Sequence, residues 1–255
     1  ADADHDLQRD AGEAGTGLAL FAKLVSAGAP LAAQAVVGVA PGTGLYSFTF
    51  VPAGIYTIVI DDNALAADLT PTPPAGWIVT EAAPGVRGGV AVAAADVNDQ
   101  DVGLFNGSRI EGVVFRDDGA GAGVPNDGVR QAGETGSTAL RVRLLGAACA
   151  GGQCDSALTD GAGAWVLWLR AAGAGVVQVA ETNAATWIST GASAGTSGGA
   201  YARPSDAIAF AASAGVLYTG LAFGDVPANP LVPAGARNGA PGVQRIRSTS
   251  GIGLS

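Results

Sequence analysis

The chain has 255 residues, with 13 lysines and arginines against 22 aspartates and glutamates, and its formal net charge is −9 at pH 7. This acidity argues against binding to nucleic acid, which depends on basic side chains meeting phosphates, and against anionic membrane surfaces. No apolar run reaches the roughly 18 residues that cross a bilayer, so no membrane insertion of this segment is predicted. The composition is compatible with cation binding and with a soluble, extracellular protein.

The chain opens on an acidic segment, Asp2 to Glu13, whose oxygen-bearing side chains recur at the spacing of an EF-hand calcium loop. Acids stand at loop positions one, three, five, nine and twelve, and position seven offers a backbone carbonyl. Since Ca²⁺ takes about six to eight oxygen ligands, and since so many neighbouring carboxylates would repel one another without a cation, we expect a calcium site. The predicted ligands are Asp2, Asp4, Asp6, Asp10, Glu13 and the carbonyl of Gln8.

Two features set this loop apart from an EF-hand. Position six, normally glycine, is Leu7, and the flanking segments are predicted strands rather than helices. The loop is therefore predicted on a β scaffold, and the alternative is a solvated acidic turn without metal. No strand precedes Asp2, so we expect the first module to lack its opening strand, which a neighbouring copy could supply.

Short β-type runs follow the loop. They are rich in β-branched and aromatic residues, they are bounded by Gly, Pro, Asn and Asp, and Tyr46–Phe50 alternates polar with apolar side chains. A period of two gives a strand one buried and one wet face. The runs are Leu18–Val25, Gly44–Phe50, Tyr56–Asn63 and Trp77–Thr80.

The pattern then repeats once, with equivalent segments about 110 to 121 residues apart. The second set of runs is Leu140–Leu145, Gly163–Leu169, Val176–Asn183 and Trp187–Thr190. Short, regularly spaced strands with turn signals predict an all-β fold of two tandem sandwiches. The predicted domains are residues 1–106 and 107–226, and residues 227–255, rich in Pro, Gly, Ser and Arg, are a predicted linker or disordered tail.

The second acidic loop, Asp117 to Glu134, is a stretched and less charged version of the first. Its positions five, seven and twelve are Asp127, the carbonyl of Val129, and Glu134, whereas Gln131 replaces the acid at position nine. Beyond these, Asp117 or Asp118 could return to the ion across a glycine-rich insertion, and Asn126 is a further candidate ligand. We expect weaker calcium binding here, and the alternative is a long turn without metal.

Two cysteines, Cys149 and Cys154, flank Ala-Gly-Gly-Gln. A zinc site would need two more suitable ligands nearby, and none is present, so the spacing favours a disulfide that closes a hairpin tip. A disulfide in turn favours an oxidising compartment, whereas a reduced pair is the alternative.

The whole pattern resembles the SdrD B-like family, calcium-binding repeats related to the Cna B-type domains of bacterial surface adhesins. The resemblance rests on Val114-Phe115, the acidic loop with its Gly-Glu-x-Gly ending, and the hairpin Thr159-Asp-Gly-Ala-Gly-Ala-Trp165. It covers about nine-tenths of the chain. It implies an immunoglobulin-like or prealbumin-like β-sandwich and a calcium-rigidified spacer or stalk on the cell surface.

Some members of that family carry an internal Lys–Asn isopeptide bond promoted by a buried acid. The resemblance places Lys23 where such a lysine could lie, with Asn98 or Asn106 as partner and Asp61 or Glu81 as the acid. A surface lysine is the alternative. The second module has no lysine, so such a bond is excluded there.

Catalysis is not expected, because the single histidine lies inside the first acidic loop and no nucleophile elbow or phosphate loop occurs. The predicted function is a calcium-stabilised structural module of a secreted or cell-surface protein, adhesin-like or fibre-forming. Its expected partners are calcium and neighbouring copies or domains of the same protein. The alternative is a module that binds carbohydrate or protein through Trp77, Trp165, Trp168 and Trp187.

Overall fold

The computed structural model describes residues 1–3, 5, 8–10, 12–27, 31–80 and 85–228. Its regular structure is β-strand, interrupted only by four short 3₁₀ turns at Ala150–Gly152, Ala171–Gly173, Gly195–Ser197 and Arg203–Ser205. The strands are β1 Leu20–Ser26, β2 Ala35–Val39, β3 Gly54–Asp61, β4 Trp77–Val79, β5 Val86–Val92, β6 Leu104–Arg116, β7 Arg141–Gly146, β8 Gln153–Leu158, β9 Ala164–Arg170, β10 Gly175–Thr182, β11 Trp187–Ala194, β12 Ala200–Ala202, β13 Ala207–Ala212 and β14 Leu217–Pro227. The prediction of an all-β fold is confirmed. In the described part of the chain no helix is long and apolar enough to span a membrane.

The described residues divide into two compact units, residues 1–108 with 214–216, and residues 109–213 with 217–228. The division falls within β6, whose residues up to Ser108 belong to unit 1 and whose residues from Arg109 belong to unit 2. The last residues of the chain, 229–255, which include most of the predicted tail, lie outside the described residues.

Unit 1 has a four-stranded antiparallel sheet in the order β2-β1-β3-β5, and β4 pairs with the first part of β6. The apolar side chains of alternate strand residues form its core, because the pleat directs them to one face. That core contains Leu20, Ala22, Leu24, Tyr56, Ile58, Ile60, Val90 and Leu104, with Trp77 and Val79 of β4 packed against it. The packing of β4 and β6 against the sheet gives a sandwich.

One predicted strand of unit 1 does not form. Residues 44–50 make no strand, although their side chains keep the alternation, with Tyr46 and Phe48 half-buried against the core and Leu45 exposed. The Tyr46 hydroxyl donates to the Gln100 carbonyl, so side-chain contacts hold this segment where a backbone ladder was expected. Its counterpart in unit 2 is the regular strand β9.

Unit 2 has one sheet in the order β12-β13-β10-β7-β8, and a second in which β14 lies between β11 and β6. From Leu217, β14 runs parallel to β6, and β9 also pairs with β6. Aromatic rings join the two sheets: the centroids of Tyr201 and Phe223 lie 6.5 Å apart, and those of Phe210 and Tyr218 lie 4.9 Å apart. These contacts form the sandwich core of unit 2.

The predicted disulfide is confirmed. Cys149 and Cys154 are bonded, with their Cα atoms 5.0 Å apart. They lie at the tip of the hairpin that joins β7 to β8, where the bond closes a loop that begins after Gly146.

Strand register makes two pairs of residues equivalent between the units. In unit 1, β1 pairs with β3 so that Phe21 faces Asp61 and Lys23 faces Val59. In unit 2, β7 pairs with β10 so that Val142 faces Glu181 and Leu144 faces Val179. Asp61 therefore corresponds to Glu181, and Lys23 corresponds to Leu144. Lys23 and Leu144 are both fully buried. Lys23 alternates with the core residues Ala22 and Leu24 and so lies on the face of its sheet opposite the unit 1 core, which means that the correspondence is one of strand register.

Candidate metal centres

The first acidic loop is braced by its own acids. Asp2 is 2% exposed, its carboxylate accepts hydrogen bonds from the His5 amide (2.7 Å) and the Thr80 hydroxyl, and its amide donates to the Leu104 carbonyl (2.9 Å). The predicted ligands Asp4 and Asp6 lie outside the described residues. Of the remaining predicted ligands, Gln8 and Asp10 lie on the exposed outer part of the loop.

Glu13, at loop position twelve, closes the same loop. Its carboxylate accepts the Ala3 amide and, at 3.1 Å, the Asp10 amide. Partial burial opposes ionisation, but these two backbone hydrogen bonds outweigh it and hold the pKa of Glu13 below its ordinary value. The glutamate is thus a fixed anion that ties the two ends of the loop together.

The second loop has the same scaffold. Asp117 is fully buried, and its carboxylate accepts the amides of Asn126 (2.9 Å) and Gly128 (2.7 Å) and the Thr190 hydroxyl. Its own amide donates to the Asp225 carbonyl (3.0 Å). Asp117 with Thr190 therefore repeats Asp2 with Thr80.

Glu134 repeats Glu13. It is 4% exposed, and its two oxygens accept the Gly119 amide (3.1 Å) and the Gln131 amide (2.7 Å). Because Gln131 stands three residues before Glu134, as Asp10 stands three before Glu13, the two clamps match residue for residue. The insertion that stretches the second loop leaves this clamp unchanged.

The other predicted ligands of the second loop lie on its outer side. Asp118 forms an ion pair with Arg116 (2.7 Å), and Asp127 accepts the Val129 amide (2.9 Å) and the Gln131 side chain (2.8 Å). Asn126, Asp127 and Val129 are exposed. The loop acids are thus engaged with backbone and side-chain donors, and the structure does not gather three of them around one point among the residues it describes.

Three acids do converge in unit 2, at a place that the sequence did not single out. Glu181 at the end of β10, Asp206 just before β13 and Asp225 near the end of β14 each present a carboxylate oxygen within 4.8 Å of the others. Glu181 is 4% exposed, Asp206 3% and Asp225 0%. Within the described parts of the chain, this acidic triad is the one group of three side chains arranged to hold a metal ion.

Neighbouring polar groups fix two sides of the triad. The hydroxyls of Tyr201 (2.8 Å) and Ser189 donate to the two oxygens of Asp206. The side-chain nitrogen of Asn183 donates to Asp225 Oδ1 (2.6 Å) and to Glu181 Oε2 (3.2 Å). Glu181 Oε1 is buried without a hydrogen-bond partner.

Burial and mutual repulsion disfavour three negative charges at this point. Burial, followed by the charge of Asp225 and a hydrogen bond that protonated Glu181 shares with Asp206, raises the pKa of Glu181 to about 11. Burial and the charge of Asp206 raise the pKa of Asp225 to about 8. Burying an unpaired charge in a protein interior costs several kcal/mol. The triad must therefore take up protons or a cation.

No family model matches the chain, and no curated protein matches it. Among solved structures, the Bacillus anthracis TIE protein is 14% identical over 82% of this chain and 31% of that protein's chain, with a TM-score of 0.27. A minor pilin of the Gram-positive pathogen Streptococcus agalactiae is 12% identical over 89% of this chain and 92% of its own, with a TM-score of 0.28. The chain thus spans about a third of the length of the first of these proteins.

Unit 1 handles its buried acid in another way. Lys23 is 0% exposed, so the interpretation of a surface lysine is wrong. Its ammonium donates to Asp61 Oδ2, to the Asp68 carbonyl (2.7 Å) and to Asn63 Oδ1 (3.3 Å). The asparagine in contact with Lys23 is Asn63, rather than the proposed Asn98 or Asn106, and of the two proposed acids Asp61 makes the contact.

Asp61 has a full set of donors. Besides Lys23 it accepts the amides of Asp62 (2.8 Å) and Thr72 (3.2 Å) and the side-chain amide of Asn63 (2.9 Å). Glu81, the other proposed acid, lies outside the described residues. The buried charge of unit 1 is therefore paired and fully hydrogen-bonded, which is the condition for tolerating it.

The four tryptophans do not form an exposed platform. Trp165 is a core residue at 3% exposure, whereas Trp77, Trp168 and Trp187 are half-buried. Trp168 alternates with Trp165 along β9, as the spacing of three predicted, and the Arg109 guanidinium lies 5.7 Å above its ring. These side chains pack within the modules.

Proposed function

We propose that this chain is a calcium-stabilised structural spacer of a secreted or cell-surface protein, adhesin-like or fibre-forming, whose two modules are each closed by an acidic loop. The observation that carries the proposal is the repeated clamp, in which Glu13 and Glu134 hold the two ends of their loops by the same pair of backbone hydrogen bonds. One loop scaffold repeated on two all-β modules suits a load-bearing array better than a single reaction centre.

The clamps leave oxygen atoms available for a cation. An ionised carboxylate offers about four acceptor sites, and the backbone amides occupy two of those of Glu134. Hard oxygen donors are the ligands that Ca²⁺ prefers, and the glutamate at position twelve of a calcium loop binds with both oxygens. Asp2, Asp4, Asp6, Gln8, Asp10 and Glu13 supply the fuller set, and Asp117, Asp118, Asn126, Asp127, Val129 and Glu134 the weaker one.

The disulfide and the repeated sandwich architecture support the same role. The Cys149–Cys154 disulfide suits an oxidising, extracellular compartment. A β-sandwich with a repeated internal scaffold is also suited to stacking end to end with other domains of the same protein, which we propose as its partners.

Isothermal titration calorimetry with Ca²⁺ on the full chain, beside thermal unfolding in calcium and in chelator, tests this function. A ligand that binds the folded state alone stabilises it by about 2.7 kcal/mol at a hundredfold excess over Kd, so calcium should raise Tm. Glu13→Gln and Glu134→Gln should each remove binding from one loop, the first with the larger loss of affinity. No change in Tm and no heat of binding at millimolar Ca²⁺ would overturn the proposal.

A further inference from the structure

The two units neutralise buried acids at corresponding register positions in different ways. In unit 1 the buried acid Asp61 is neutralised by Lys23, which extends from β1. In unit 2 the equivalent acid is Glu181, but the residue at the position of Lys23 is Leu144, which has no charge. Unit 2 therefore keeps the buried acid and lacks the cation that balances it in unit 1.

Unit 2 adds further negative charge instead of removing it. Asp206 and Asp225 bring their carboxylates to within 4.8 Å of Glu181. The ion pairs Lys23–Asp61, Arg109–Glu111 and Arg116–Asp118 do not include a triad acid. Arg203, on the turn before Asp206, donates to the Thr190 carbonyl.

The hydrogen bonds around Asn183 satisfy only part of the triad. With its side-chain nitrogen toward the acids, Asn183 donates to Asp225 Oδ1 (2.6 Å) and Glu181 Oε2 (3.2 Å), and its side-chain oxygen lies 2.8 Å from the Ser189 hydroxyl. Both ends of the amide then have suitable partners. This arrangement leaves Glu181 Oε1 without a donor.

The orphaned oxygen of Glu181 is the second sign that a ligand belongs here. Glu181 is 4% exposed and its Oε1 has no hydrogen-bond partner, although it lies among the triad oxygens. A buried acceptor without a partner costs about 1–3 kcal/mol, and more when it is charged. A metal ion would satisfy it.

We propose that Glu181, Asp206 and Asp225 bind a divalent cation, which balances their charge as the lysine ammonium balances that of Asp61 in unit 1. A wholly oxygen ligand set with three carboxylates selects a hard ion, and Ca²⁺ is the ion of that class that accepts irregular geometry. The site uses residues from β10, β14 and the turns beside them, and none of the two acidic loops. It does not depend on calcium binding by those loops.

The test is calorimetric titration of the full chain with Ca²⁺, comparing wild type with Glu181→Gln and Leu144→Lys. Glu181→Gln removes one ligand charge, and Leu144→Lys places an ammonium where unit 1 has one. Each should abolish one equivalent of bound Ca²⁺ or weaken it at least about tenfold. Glu111→Gln, which removes an acid of the same unit that pairs with Arg109, is the matched control and should bind as wild type does.

A second, milder variant protects the test against misfolding. Asp206→Asn keeps the shape of the side chain and its tolerance of the left-handed backbone, so it should fold, as near-ultraviolet circular dichroism can verify, and it should weaken the same equivalent. Wild-type stoichiometry and affinity in the folded variants would overturn the proposal.

The loop variant Glu134→Gln separates this proposal from the proposed function. If Glu134→Gln loses one equivalent and Glu181→Gln another, both sites exist. If Glu181→Gln binds as wild type while Glu134→Gln does not, the triad site fails and the loop site stands. If Glu134→Gln binds as wild type while Glu181→Gln does not, the loop site fails and the triad stands. If both variants lose the same single equivalent, the triad is no separate site and this proposal is overturned.

Discussion

Unit 1 and unit 2 each bury an acid at corresponding register positions, Asp61 on β3 and Glu181 on β10, and they differ in what neutralises it. Asp61 of unit 1 has an ammonium and three amide donors around it, whereas Glu181 of unit 2 has two more carboxylates and an oxygen without a partner. The comparison shows that the groups around a buried acid, and not its position on the strand, determine whether its charge is balanced. Unit 1 balances the charge with a lysine of its own, whereas unit 2 requires protons or an ion from solution.

The largest effect should come from removing the lysine that balances the charge of Asp61 in unit 1. Lys23→Met leaves Asp61 buried without its cation, which should cost about 3–5 kcal/mol of unfolding free energy. Leu144→Met at the equivalent position of unit 2 is the matched control, and a volume-conserving apolar exchange should cost less than about 1.5 kcal/mol. Urea unfolding measures both. Equal costs at the two positions would contradict the distinction between the units.

A pH series in chelator should sharpen the unit 2 side of the comparison. The folded pKa of Asp225 is raised from 3.8 to about 8, so between these values the folded state holds a proton that the unfolded state has lost. The unfolding free energy should therefore fall as pH rises from about 4 to about 8, by about 1.4 kcal/mol per pH unit for each extra proton. Thermal unfolding of wild type and Asp225→Asn measures this, and the variant should show the shallower fall. A flat profile in wild type would contradict the crowding of the triad.

The loop scaffolds should respond alike in the two units. Thr80→Val and Thr190→Val each remove a hydroxyl that donates to a buried aspartate, Asp2 or Asp117. A hydrogen bond to a charged group contributes about 1.5–3 kcal/mol, so each variant should lower the unfolding free energy by that amount. Denaturant unfolding checks the pair, and Thr16→Val, which removes only an exposed hydrogen bond from the Leu18 amide, is a control with a smaller expected effect. A neutral result in both loops would argue against the shared clamp.

The smallest effect should come from the disulfide of unit 2. The loop between Cys149 and Cys154 has a sequence separation of 5, and the chain-entropy model gives about 2 kcal/mol for so short a loop. Reduction, or the double change to serine, should lower the Tm of unit 2 slightly and leave calcium binding unchanged. Loss of calcium binding on reduction would show that the hairpin tip matters beyond this local constraint.

The sequence predicted those features that depend on residues close together in the chain. Alternation and turn residues indicated the strands, the spacing of two cysteines indicated the disulfide, and the ends of both acidic loops carry the glutamates that close them. The segment from Gly44 to Phe50 shows the limit, because its alternation is real but no neighbouring strand pairs with it. A strand needs a partner, and the sequence of the segment itself does not contain one.

The triad could not be found by spacing. Glu181, Asp206 and Asp225 come from two strands and a turn that only the folded sandwich brings together. Asp206 also adopts a left-handed backbone conformation (φ 47°), which aspartate tolerates better than most residues and which its sequence context did not reveal. The repeat itself held one usable signal, because aligning Asp61 and Asn63 with Glu181 and Asn183 shows an acid whose lysine is absent from the second copy.

The most direct measurement of the central claim is the difference in Tm of unit 2 between saturating Ca²⁺ and chelator, compared in wild type and Leu144→Lys. If a cation replaces the missing lysine, the engineered ammonium makes the ion redundant, so the calcium-dependent shift should be smaller in Leu144→Lys and its Tm in chelator should be higher than that of wild type. An equal calcium-dependent shift in the two proteins, with no gain in chelator, would contradict the account.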